Sequence, residues 1–210
     1  ADSADPWWDN NWEERVPLTV TNASATEGMQ ALYNVTYDSD MQSDFDDLRF
    51  VQDDGTTPID YWIETKSDSN YALCWLELPA SEALVYQYYG NPDAESESDI
   101  DAVMEFGDVF DSSLDWSNKW QSTNQALYSA SGGYLTITTT STTGQLIQTK
   151  NKYSNFRARV SARVATAGKQ LYVSTDTTAG TWANKEGGVI DWMNSPDNVK
   201  AQIAGSQTVT

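Results

Sequence analysis

No histidine occurs among the 210 residues, and cysteine occurs once, at Cys74. The first absence excludes the usual zinc sites and His-dependent acid–base chemistry, and the second excludes an intrachain disulfide. Basic residues are scarce in one half only. Residues 1–105 hold 24 Asp and Glu against Arg15, Arg49 and Lys66, a balance of −21, whereas residues 106–210 hold seven acids and nine bases, a balance of +2. Phosphate binding needs concentrated positive charge, so nucleic acid is excluded as a partner. Missing too is any apolar run near the roughly 20 residues that cross a bilayer, and nothing reads as a long amphipathic helix. The chain starts at Ala1 with neither Met nor a signal-peptide core, as expected of a processed chain or a fragment.

What is abundant points to strands. Aromatics make up 12% of the chain, with nine Trp and eleven Tyr, among many Thr, Val, Gly, Asn and Asp. Val16, Leu18 and Val20 alternate on one face, followed by Met29, Ala31, Tyr33, Val35 and Tyr37. Leu48-Arg49-Phe50-Val51 leads into Asp53-Asp54-Gly55-Thr56, a hairpin signal with Tyr61-Trp62-Ile63 as its return strand. In Tyr71–Leu78 both alternating faces are mainly apolar, the pattern of a central strand carrying Cys74 as an inert core thiol. Leu84–Tyr89 ends at Gly90-Asn91-Pro92. These make about six or seven strands, enough for a sandwich.

Residues 93–105 are acidic and polar and read as a connector, placing the domain boundary after Glu105. Beyond it, strands are expected at Tyr134–Thr138 after Gly132-Gly133, at Phe156–Val164, and around 171–174, 189–192 and 199–203. The fold class is therefore all-β: an acidic sandwich over 1–105 followed by a second over 106–210.

Trp7-Trp8-Asp9-Asn10-Asn11-Trp12, Arg15-Val16-Pro17-Leu18, Asp47–Phe50, Asp54-Gly55-Thr56, Tyr61–Glu64 and Tyr88-Tyr89-Gly90-Asn91-Pro92 together resemble a prokaryotic domain of unknown function found in archaeal and bacterial surface proteins. The resemblance spans nearly all of residues 7–105 and implies a setting, not an activity. Phe106-Gly-Asp-Val-Phe110 through Lys119-Trp120 is similar to the start of a concanavalin-like or laminin-G-like sandwich, a frequent follower of that domain. Such sandwiches have a dozen or more strands, so a second domain ending at Thr210 is expected to be incomplete or abbreviated.

No catalytic constellation emerges. The Glu-x-Asp-x-x-Glu run of concanavalin-like glycosidases is missing from the second half, whose only Glu is Glu186. Asp38, Asp40, Asp44, Asp46 and Asp47 crowd one loop, either as a solvated acidic loop or as a site for calcium. Arg157, Arg159 and Arg163 alternate along a strand, either covering the sheet and pairing locally or meeting an acidic neighbour. Trp182, Asn184, Asp191, Trp192 and Asn194 mix rings and amides as sugar recognition does, although core packing explains the tryptophans equally well. Asn22-Ala23-Ser24 and Asn34-Val35-Thr36 are N-glycosylation acceptor sequences; Asn34 falls on the strand face opposite Tyr33 and Val35.

The expectation is a non-enzymatic extracellular protein at a cell or virion surface that binds glycans or mediates adhesion. The alternative is a structural subunit of a filament, sheath or viral fibre, the acidic domain of one copy meeting the neutral-to-basic domain of the next.

Overall fold

The computed structural model describes residues 7–21, 28–138, 147–151, 153, 156–162, 170–174, 189–193 and 199–205. The chain divides into two compact units, Ala1–Val109 and Phe110–Thr210. Antiparallel strands dominate both, with almost no helix, so the protein is all-β. Among the described residues no helix is long and apolar enough to cross a membrane.

The first unit contains β1 (Glu14–Thr19), β2 (Met29–Thr36), β3 (Arg49–Gln52), β4 (Pro58–Ile59), β5 (Tyr61–Ser67), β6 (Tyr71–Leu78), β7 (Leu84–Tyr89) and one helical turn, α1 (Ile100–Val103). The strands form two sheets, β1-β7-β3-β4 and β2-β6-β5. Phe50, Ile59, Val85 and Tyr89 of the first sheet share one buried cluster with Val35, Ala72, Cys74, Leu76 and Leu78 of the second. Phe50 sits at its centre, edge-on to Tyr61 at 5.3 Å and to Tyr33 at 6.4 Å. Cys74 is fully buried, as its neighbours imply, and desolvation pushes its thiol up to about 12.

The two sheets differ in how they are covered. The first is buried on both faces, because Trp8 and Trp12 pack over Val51, Tyr86 and Tyr88 on the side away from the shared core. The Trp12 indole donates to the Asp47 carbonyl at 2.7 Å, and the Arg15 guanidinium lies 4.4 Å from the centre of the Tyr86 ring. The second sheet buries only its inner face.

Two local expectations are corrected. The return strand of the β3 hairpin is β4, with Phe50 opposite Ile59, while Tyr61-Trp62-Ile63 belongs to β5 in the other sheet. The backbone changes sheets at Asp60, whose carbonyl accepts from Glu77 N–H. Val16 shares the core side of β1 with Leu18, as the alternation implies; it is 37% exposed, and its partner there is the buried Gln87. Residues 93–105 differ from a solvated connector: the Gln42 amide donates to the Ala94 carbonyl, Arg49 Nη2 to the Glu95 carbonyl, Ile63 N–H to Ser98 Oγ and Asp99 N–H to the Tyr61 carbonyl. The segment thereby caps the free edge of β5, supplying partners that an edge strand otherwise lacks.

In the second unit β8 (Trp120–Gln121) pairs with β11 (Gln148–Thr149), and β9 (Tyr128–Ser131) with β10 (Tyr134–Ile137). β12 (Phe156–Ala162) pairs with β15 (Val199–Gly205), and β13 (Gln170–Ser174) with β14 (Val189–Met193). Gly132 and Gly133 both take positive φ, which the tight two-residue turn between β9 and β10 requires.

Candidate functional site

The outer face of β2-β6-β5 holds the candidate site. Along β6 the side chains alternate: Ala72, Cys74, Leu76 and Leu78 are buried, while Leu73, Trp75 and Glu77 are half-buried and Tyr71 is exposed. Antiparallel pairing puts opposed residues on the same side of the sheet. Leu32, Trp75 and Trp62 therefore form one row across all three strands, about 10 Å wide from the strand spacing. The next rows are Asn34, Leu73 and Thr65, then Thr36, Tyr71 and Ser67. Leu32, on the edge strand β2, is 46% exposed, and Tyr71, at the start of β6, 37%. The face is therefore most open at its β2 edge and at that end, with Leu73 and Trp75 half-buried between.

Polar groups fix this apolar surface. Trp75 Nε1 donates to Glu64 Oε2 at 3.0 Å, which satisfies the indole N–H and holds the ring in place. The β5–β6 register shifts at a bulge between Ile63 and Thr65, the position of Glu64. At one end Gln30 Nε2 donates to Glu77 Oε2 at 2.7 Å and approaches the Val103 carbonyl at 3.3 Å, while α1 lies against β5 and β6. Ring faces with fixed orientation, bordered by carboxylate and amide groups, suit a ligand with both C–H faces and hydroxyls.

Sequence reasoning missed this site. It read Tyr71–Leu78 as a central strand with both faces mainly apolar, and β6 is the middle strand of its sheet. Which of the two faces stays partly open was not read: the Cys74 face is buried and the Trp75 face is not. The available signal was β5, where Trp62 is followed by Glu64, Thr65, Lys66 and Ser67: a sheet whose edge strand turns polar does not continue into a second buried layer.

The five aspartates of the acidic loop, read either as a solvated loop or as a calcium site, have separate local partners. Asp38 accepts from Asp40 N–H at 3.0 Å, and Asp44 from Asp46 N–H at 3.4 Å, so both close local turns. Asp46 lies 3.9 Å from Lys66 Nζ, and Lys66 also donates to the Asp44 carbonyl. Asp47 is fully buried and accepts from Gly90 N–H at 2.7 Å and Gln42 N–H at 3.1 Å. Desolvation pushes its carboxyl up, and the backbone donors pull the other way. Among the described residues no three His, Cys, Asp or Glu side chains are grouped to hold a metal ion. Beside Asp47 a hollow of about 290 Å³ is lined by Glu13, Asp40, Met41, Gln42, Gly90 and Pro92.

In the second unit Trp182, Asn184 and Asn194 lie outside the described residues, as do Arg163 and, in the first unit, Asn22. Asp191 and Trp192 are in β14, opposite Tyr172 and Leu171. Arg157 and Arg159 are in β12, opposite Ala204 and Gln202. Asn34 is exposed on β2, on the face opposite Tyr33 and Val35 as expected.

Residues 44–123 match a family model described as Domain of unknown function (DUF2341). The match takes in β3 to β8 with α1 and contains the Asp47–Phe50, Asp54–Thr56, Tyr61–Glu64 and Tyr88–Pro92 motifs, while the Trp7–Val20 opening lies before it. Neither a curated protein nor a solved structure matches the chain. The matched stretch, similar to that domain of unknown function, includes Trp62, Glu64 and Trp75 of the aromatic face.

Proposed function

We propose that this chain is a non-catalytic extracellular surface protein that binds glycans through the outer face of β2-β6-β5. The observation that carries the reading is Trp75: a half-buried ring, centred between Leu32 and Trp62 and anchored through its N–H by Glu64. An apolar face that a monomer leaves exposed marks a binding surface, and sugar rings stack on such faces through their C–H groups. The balance of −21 over residues 1–105 repels uronic or sialic acids and favours neutral glycans. The sequence from Phe106 fits this setting as a concanavalin-like domain, on the likeness of the stretch Phe106–Trp120, whose first four residues fall in the first unit.

The test is a glycan array of neutral oligosaccharides probed with the purified chain and with Trp75→Ala. The expected result is binding that weakens at least tenfold in the variant, as for a central aromatic contact. Equal binding by the two proteins would remove the site.

A second reading has its own support. Leu32 offers an aliphatic contact, not a polar one, and the charge division of −21 against +2 suits head-to-tail association into a filament or fibre. Light scattering over a salt series separates them: assemblies that dissolve as salt rises support the structural subunit, and a monomer throughout excludes it.

A further inference from the structure

We propose that Asn34 carries an N-linked glycan whose first sugars lie on the Leu32, Leu73 and Trp75 surface, so that the glycosylated chain occupies its own binding face. Resting on the platform reading above, this names the first ligand the platform takes.

The acceptor sequence is placed for it. Asn34 and Thr36 are exposed on the outer face, and Val35 between them is 1% exposed in the core, so both recognised side chains point to solvent from one strand. β2 is an edge strand of its sheet, which leaves one flank of the acceptor open. The linkage forms between Asn34 Nδ2 and the anomeric carbon of a sugar on a lipid-linked phosphate donor. The C1–O bond to phosphate breaks, the lipid phosphate leaves with the electron pair, and the amide proton passes to a base of the transferring enzyme.

Once attached, the first sugar has an apolar surface beside it on the same sheet face. Leu73 is directly opposite Asn34, about 5 Å between Cβ atoms. Leu32 is two residues back on the same face, about 7 Å along the strand. Trp75 and Tyr71 are the diagonal neighbours, about 7–8 Å away and within reach of their long side chains. The most exposed aliphatic side chain of the face, Leu32, is thus adjacent to the one acceptor asparagine on it. Tethering gives the attached glycan a high effective concentration at the face, so free oligosaccharide competes poorly.

The experiment secretes the full chain from an N-glycosylating host, with Ser24→Ala to remove the other acceptor, and compares it with the same Ser24→Ala chain made in a host without N-glycosylation, which leaves Asn34 unmodified. Peptide mass mapping is expected to find the glycan on Asn34, and the modified chain is expected to bind a neutral oligosaccharide at least tenfold more weakly than the unmodified chain. Enzymatic trimming of the glycan should restore binding. A folded, secreted chain with Asn34 unmodified would overturn the proposal, as would a modified chain that binds undiminished. Should neither form bind oligosaccharide, the platform reading fails by itself. The seat of the glycan is then decided by NMR cross-peaks between sugar protons and Trp75 or Leu32, whose presence supports the proposal and whose absence overturns it.

Discussion

The indole N–H of Trp75 donates to Glu64 Oε2 at 3.0 Å, joining β6 to the bulged residue of β5. That contact sets the attitude of the central ring on the exposed sheet face. Glu64→Ala frees the indole to rotate while leaving the buried core untouched. Glycan binding should fall about tenfold, the equivalent of one good hydrogen bond, with less effect from Glu64→Gln, whose amide oxygen still accepts. Titration calorimetry of the two variants checks this order.

Arg49 is the main tie of the 93–105 segment. It is 5% exposed, donates to the carbonyls of Asp46, Leu48 and Glu95, and stacks over Trp12 at 5.1 Å. Its Nε also lies 3.0 Å from a Glu97 carboxylate oxygen, a close charge contact not aligned as a hydrogen bond. Because Glu97 is 65% exposed, Glu97→Gln should cost no more than about 1 kcal/mol. Arg49→Ala leaves three carbonyls without their donor and removes the cation from Trp12, and should cost about 3 kcal/mol or more. Urea denaturation of both variants measures the contrast.

Cys74 should be silent in the native protein. With the thiol fully buried and pushed up to about 12, native chain at pH 8 is expected to resist an aromatic disulfide reagent and to react completely once unfolded in guanidinium. Rapid native labelling would show that the shared core opens.

Acid should act on two aspartates with opposite sign. Thr57 Oγ1 and the backbone N–H groups of Thr56 and Thr57 hold the exposed Asp54 at about 2, below its ordinary 3.8. The folded value is the lower one, so this turn stabilises the fold above pH about 3.8 and the contribution disappears as pH falls toward about 2. Asp47 is shifted upward by burial, so its contribution is greatest in acid and declines as pH rises through its folded value. Urea midpoints of Asp54→Ala should therefore approach those of the wild type as pH drops from 5 to 2. Those of Asp47→Asn should lose ground most at the acid end.

The strands were legible by two patterns. Period-2 runs located β1 and β2, short apolar runs bounded by turn residues located β6 and β7, and Gly132-Gly133 marked the β9–β10 turn. Less legible was anything decided by tertiary pairing. Asp53–Thr56 announces a turn, but whether the chain stays in the hairpin is settled by where Asp60 and Glu77 meet, a contact of distant residues. The 93–105 segment looked solvated because its composition is acidic, yet its backbone carbonyls, which composition cannot show, are what Gln42 and Arg49 bind. The candidate site was hidden for a related reason: an outward Trp75 and an inward Cys74 are both apolar, and only the number of layers distinguishes a second core from an exposed platform.

The most direct test follows the tryptophan indole N–H resonances of the chain lacking the Asn34 glycan while a neutral oligosaccharide is added to saturation. The Trp75 and Trp62 signals should move together, with Trp8 and Trp12, on the far sheet, unchanged. Movement confined to other tryptophans, or none at saturating sugar, would contradict a glycan-binding face on β2-β6-β5.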